Sequence, residues 1–195
     1  MATSPQPPHP RRSAPDPIKA LWRSWLARKG PVFSVAAKFA ALMALYYVFS
    51  LLPISDRALN GLVTGTARLA NCLLNLLGEK SQLTEATLSS GLFAITVLKA
   101  CTCVEFVWFY CAALIVFPSP WTRKLPGILI GAAALLALNL LRVMSLFLVG
   151  VHFPKAFDMV HEDIWSVSLI IATLFLTLAW IGWARRGEEP THDVA

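Results

Sequence analysis

Residues Leu59–Leu77 read LNGLVTGTARLANCLLNLL, and the way this stretch meets a membrane decides how the rest of the chain is threaded. Leu59, Leu62, Val63, Leu69, Ala70, Leu73 and Leu77 fall along one helical face, while Asn60, Arg68, Asn71 and Asn75 lie elsewhere. Such a helix either crosses the bilayer or lies along its surface. The basic residues outside it discriminate. If it crossed, Arg123 and Lys124 would face outward. If it does not, the N-terminal tail, Trp121-Thr122-Arg123-Lys124 and Arg185-Arg186 all fall in the cytoplasm. Agreement of three clusters with the positive-inside rule favours the second reading, an interfacial helix on the extracytoplasmic side.

Composition points to the bilayer as solvent. Of 195 residues, 56% are hydrophobic and 14% charged, and the mean hydropathy is +0.61. A soluble domain carries about a quarter charged residues. The net charge is +6, with basic residues clustered in the two tails and one short loop, which suits membrane orientation and not a nucleic-acid partner. Cys72, Cys101, Cys103 and Cys111 match no zinc spacing, and His9 and His192 lie in the tails. Neither a metal nor a cofactor is expected.

Four spans follow from the apolar runs: about Val32 to Leu52, Val104 to Phe117, Leu125 to Val149, and Ile164 to Trp183. Residues 1–17 hold six prolines and read as disordered. Ile18, Leu21, Trp22, Trp25 and Leu26 then form either a short amphipathic helix on the cytoplasmic leaflet or a plain basic flank. Gly127 and Gly131 are either a close-packing pair or ordinary membrane-helix glycines. Between Leu88 and Ala100, Phe93, Ile95 and Val97 alternate with Ala94, Thr96 and Leu98, so an extended segment competes with a helical extension of the second span. The expected fold is an all-α polytopic membrane protein of about four transmembrane helices, with an interfacial helix and a short extracytoplasmic extended segment. Its parts are a cytoplasmic N-tail (1–30), a membrane domain (31–184) and a cytoplasmic C-tail (185–195).

Cys101, Arg142 and His161 stand out against this background, because an ionisable residue in or at the rim of a span is a functional-site candidate. The four-span arrangement puts Cys101 at the outer end of the second span. Arg142 falls roughly 25 Å along the third, and His152 and His161 lie in the outer loop. A thiolate attacks a carbonyl, a guanidinium holds an oxyanion or peptide carbonyl, and an imidazole moves protons. A nearby cation raises the thiolate fraction, which a desolvating rim opposes. Asn139, one turn before Arg142, is placed to orient its guanidinium. Glu105 is placed to pair with Arg142 or Lys99, or stays protonated. A structural Arg142 held by a backbone carbonyl or lipid phosphate is the alternative, and Cys72 and Cys111 read as small apolar packers.

Ala100-Cys101-Thr102, Asn139-Leu140-Leu141-Arg142 and a histidine heading the next span resemble the exosortase and archaeosortase family. Val151-His152-Phe153-Pro154-Lys155-Ala156-Phe157, with His161 and Trp165, looks closest to the short exosortase H subgroup. The resemblance covers about residues 88–182. It implies a multi-pass bacterial inner-membrane cysteine peptidase and transpeptidase whose site faces the periplasm. Its partners would be exported proteins carrying a C-terminal sorting signal (motif, hydrophobic helix, basic tail), with water or a lipid or glycan amine as acyl acceptor. By the same resemblance Cys101 is the nucleophile, Arg142 the family's arginine and His161, ahead of His152, its histidine. The family usually has glycine two residues after the cysteine. Cys103 stands there instead and offers a second thiol. Two other readings remain: a membrane thiol-disulfide oxidoreductase using Cys101 and Cys103, and a non-enzymatic assembly subunit in which Arg142 and Glu105 join helices.

Overall fold

A computed structural model describes residues 17–91 and 93–186. The tail expected to be disordered, residues 187–195 of the C-tail, His9 and His192 lie outside the described residues, as do the side chains on which the amphipathic reading of Ile18–Leu26 rests. The chain divides into two compact units, residues 1–37 and 38–195. In the first, the described backbone is the beginning of helix α1 (Pro17–Ser50). That helix continues without a break from residue 18 into the apolar run, so Ile18–Leu26 belong to it and not to a separate short helix.

The second unit has an apolar bundle and a mixed cap. Helix α2 (Pro53–Leu76) is followed by strands β1 (Gln82–Thr84), β2 (Thr87–Ser90) and β3 (Phe93–Thr96), a 3-10 turn (Lys99–Thr102) and helix α3 (Val104–Val116). Helix α4 (Trp121–His152), a second 3-10 turn (Pro154–Ala156), a π-turn (Met159–Ile164) and helix α5 (Trp165–Arg186) complete the chain. Among the described residues three stretches are long and apolar enough to cross a membrane, Val32–Ser50, Trp121–His152 and Met159–Arg186. The 13 residues of α3 extend only about 20 Å, against about 30 Å of hydrocarbon.

The strands form an antiparallel meander in the order β1-β2-β3, with Leu88 opposite Ile95 and Thr87 opposite Thr96. The extended reading of residues 88–100 therefore holds, with two further strands before β3. The fold is mostly helical, with this small sheet added. Phe93, Ile95 and Val97 turn inward, as period-2 alternation requires. They meet Val63, Ala67, Ala70 and Leu74 of α2 and Val143 and Phe147 of α4 in an upper cluster.

The buried stripe of α2 is thus rotated from the one expected. Leu62 and Leu69 are 41% and 51% exposed, while Ala67 and Ala70 are fully buried. Alanine lets the sheet and α4 approach closely, and Leu62 and Leu69 are left on the outer surface. Gly78, at φ +93, stops α2 by letting its own N–H reach the Asn75 carbonyl.

A lower cluster joins α3, α4 and α5 through Tyr110, Leu114, Leu135, Leu169 and Trp180. Gly127 and Gly131 act as the close-packing pair. A Cβ at Gly131 would lie 2.2 Å from the Tyr110 ring, and one at Gly127 would lie 2.1 Å from Trp180. The Tyr110 hydroxyl donates to the Gly127 carbonyl at 2.9 Å.

Candidate active site

The buried face of α4 joins the two clusters. Leu135 belongs to the lower one and Val143 and Phe147 to the upper. Between them, at helical spacing on the same face, come Asn139 and Arg142, only 1% and 8% exposed. Two polar side chains on an apolar stripe must be held by something. Facing them is the 3-10 turn that carries Cys101.

That turn is fixed at four points. The Cys101 N–H donates to the Leu98 carbonyl at 2.8 Å, and the Thr102 hydroxyl donates to the Lys99 carbonyl at 2.7 Å. The Asn139 amide donates to the Cys101 carbonyl at 2.8 Å. Lys99 pairs with Asp56, in the first turn of α2, at 2.6 Å. Asn139 therefore grips the thiol-bearing turn and does not orient the arginine as the sequence suggested. Asp56 and Thr102 were missed. Their signals were an acid in the turn after Pro53 and a hydroxyl three residues beyond Lys99.

The two thiols sit differently. Cys101 is half-buried against the upper cluster. Cys103, just ahead of α3, is buried with its sulfur 3.8 Å from the Leu135 carbonyl. The backbone of Cys103 is left-handed, at φ +59. Glycine adopts that conformation without cost and other residues rarely do, which gives a physical reason for glycine at this point of the family pattern. Here the Cβ is accommodated and the thiol fills space in the lower cluster.

Arg142 Nε and Asn139 Oδ1 are buried and have no hydrogen-bond partner among the described residues. Buried polar atoms are nearly always bonded. Two exceptions beside one thiol-bearing turn offer a donor and an acceptor to a ligand's polar backbone.

His161 lies in the π-turn and stacks on Phe157, with ring centroids 5.7 Å apart and planes 19° apart. Phe157 packs edge-on against Phe93, and Phe93 against Phe147. The imidazole is therefore tied to the upper cluster, while no hydrogen bond joins it to Cys101 or Arg142 among the described residues. His152 ends α4 and lies 3.6 Å from Glu79, in the link between α2 and β1. Glu105 is exposed and makes no ion pair with Arg142 or Lys99 among the described residues; Lys99 has taken Asp56 instead. Glu105 lines a cavity of about 200 Å³ together with Tyr46, Lys99 and Cys103. No cluster of three or more metal-ligating side chains occurs among the described residues.

A family model described as Transmembrane exosortase (Exosortase_EpsH) matches residues 24–180. The chain belongs to the transmembrane exosortase family. The match spans every residue of the site, from Asp56 to His161. No curated protein and no solved structure matches. This exosortase is thus a membrane protein whose Cys101 turn, Asn139 and Arg142 come together, with His161 held separately above them.

Proposed function

We infer that this exosortase is a cysteine peptidase and transpeptidase that cleaves the C-terminal sorting signals of exported proteins. The observation that carries the reading is the pair of buried, unpartnered atoms, Arg142 Nε and Asn139 Oδ1, beside the turn bearing Cys101. In the proposed reaction the Cys101 thiolate attacks the scissile carbonyl carbon, and Arg142 stabilises the resulting oxyanion. The C–N bond breaks as His161 protonates the leaving amine, which leaves an acyl thioester on Cys101. Water or a lipid or glycan amine then attacks the thioester, releases the product and returns the thiol. Cys103 suits a packing role better, because its thiol is buried among the side chains of the lower cluster. This weakens the oxidoreductase reading.

The proposal includes four crossings, with α3 as the second, both tails in the cytoplasm of a bacterium and the site near the outer face of the inner membrane. Fifteen residues of α4 separate Lys124 from Asn139, and eighteen separate it from Arg142. Along a helix these are about 22 and 27 Å. With Lys124 at the cytoplasmic boundary, the site falls just inside the outer edge of a roughly 30 Å core. Non-helical backbone is tolerated at that depth only where protein satisfies its polar groups. The hydrogen bonds of the 3-10 turn meet that condition, and they let the short α3 stop below the surface.

The test compares single cysteine variants in cells. Cys101→Ala should abolish shortening of the substrate, and Cys103→Ala should leave most of it, read by immunoblot of enzyme and substrate together. Equal loss in both, with a disulfide in the wild type, would favour redox chemistry and sink the peptidase reading.

A further inference from the structure

The edge strand β3 runs directly into the turn that carries Cys101, and one of its two backbone edges is unused. The Val97 N–H donates to the Ala86 carbonyl at 2.9 Å, and β2 and β3 pair with Leu88 opposite Ile95 and Thr87 opposite Thr96. Bonded and non-bonded pairs alternate along an antiparallel ladder. Ile95 and Phe93 therefore spend their N–H and C=O groups on β2, and Val97 its N–H on Ala86 just before it. The hydroxyls of Thr87 and Thr96, 2.9 Å apart, fit a non-bonded pair there. The N–H and C=O groups of Ala94 and Thr96 consequently point away from β2, and they carry no hydrogen bond among the described residues. The side chains of Ala94, Thr96 and Leu98 are exposed.

Unused edges are normally blunted by lysine, proline or an inward charge. Phe93-Ala94-Ile95-Thr96 has none of these. Its placement supplies the reason. The Phe93 ring lies against Gly150 of α4, and the Cys101 carbonyl is held by Asn139 of the same helix. Those levels on α4 are eleven residues apart, about 16 Å, so β3 descends along α4 from the outer end of the cap to the thiol.

We propose that the free edge of β3 is the docking strand for the substrate, which adds its extended segment N-terminal to the scissile bond as a fourth strand and is led by it to Cys101. The inference rests on the peptidase reading above. A substrate whose C-terminal side enters the bilayer runs in the same direction as β3, so the pairing is parallel. Backbone groups of Ala94 and Thr96 supply the bonds, and recognition there is largely independent of the side chains of the bound segment.

Proline at an outward-facing position removes a donor from the free edge without touching the β2–β3 ladder. The probe is a host exported protein ending in a hydrophobic helix and a basic tail, identified by shortening that occurs with the wild type and not with Cys101→Ala. Ala94→Pro and Thr96→Pro should each slow that shortening at least about tenfold, the scale of one or two lost backbone bonds, with enzyme abundance unchanged. In parallel, a photo-crosslinking residue in place of Thr96, in a Cys101→Ser background, should capture the probe through the segment preceding its cleavage site. Normal processing by both proline variants overturns the proposal. So does a cross-link that joins two copies of the enzyme, which would make the edge a dimer seam. If the proline variants fail to accumulate, the cross-link alone decides, and its absence counts against the proposal. If no host protein shortens in a Cys101-dependent way, the peptidase reading itself fails and the docking strand falls with it.

Discussion

Arg142 and Asn139 sit on the same buried face of α4, yet the proposed reaction gives them different parts. Asn139 spends its amide on the Cys101 carbonyl, so its effect on chemistry passes through the position of the turn. Arg142 keeps Nε unpartnered, which suits a group that meets the substrate. A guanidinium presents a planar fork that an ammonium of equal charge cannot imitate. Arg142→Lys should therefore leave membrane abundance near normal while processing falls by about 10² to 10³, the usual cost of one lost oxyanion donor. A paired immunoblot of enzyme level and substrate size reads both quantities, and normal processing by the lysine variant would reduce Arg142 to a charge that joins helices. Cys103 poses a conformational question. A non-glycine residue held left-handed costs about 1–3 kcal/mol, which Cys103→Gly would relieve while losing a buried thiol. That variant should retain processing within about threefold, whereas Cys103→Val, β-branched at a positive φ, should lose abundance. Equal behaviour of the two would mean that the φ of +59 places no demand on the residue.

At the scale of elements, α2 and the strands show what apolar pattern can and cannot reveal. The alternation of Phe93, Ile95 and Val97 was legible as a strand because each of the three does turn inward. Strand β1 has only 3 residues, too few for a period to register. The helix at residues 59–77 was legible as amphipathic, and Val63 and Ala70 of its expected face are buried, but that face took in Leu62 and Leu69 and left out Ala67, because leucine outranks alanine on any hydrophobicity scale. Packing reversed that order: Ala67 and Ala70 are small enough for the sheet and α4 to close over them. The site divides in the same way. The positions of Cys101 and Arg142 were legible as polar exceptions in apolar runs, while the grip of Asn139 and the Lys99–Asp56 pair depend on contacts that no spacing encodes. The rotated stripe also makes a prediction. Ala67→Leu should overpack the upper cluster and cost about 1–3 kcal/mol, and Leu62→Ala, on the exposed face, should cost little. Thermal unfolding of the detergent-purified proteins separates the two, and equal loss would restore the face expected from sequence.

For the whole molecule, the basic residues that suggested the orientation have a second role. Lys124 donates to the Ile115 carbonyl at 2.6 Å, and Arg123 donates to the Ala184 carbonyl. These carbonyls belong to the last turns of α3 and α5, where backbone acceptors lack helical partners and a cation is favoured. The cluster at residues 123–124 thus closes one end of the bundle as well as adding positive charge there. The end of α3, the start of α4 and the end of α5 are thus tied together at one end of the bundle. The sheet and α2 lie at the opposite end, along the part of α4 beyond Arg142. If that arrangement holds in cells, reporter fusions at positions 85, 122, 156 and 190 should read outside, inside, outside and inside. The fusion at 85 carries the most weight, since it falls in the β1–β2 turn and reports whether α2 has crossed. An inside signal there, with 122 outside, would make α2 a span and place the Cys101 turn at the cytoplasmic face. The enzyme could then not meet an exported substrate, and both the sorting reaction and the docking strand would have to be abandoned together.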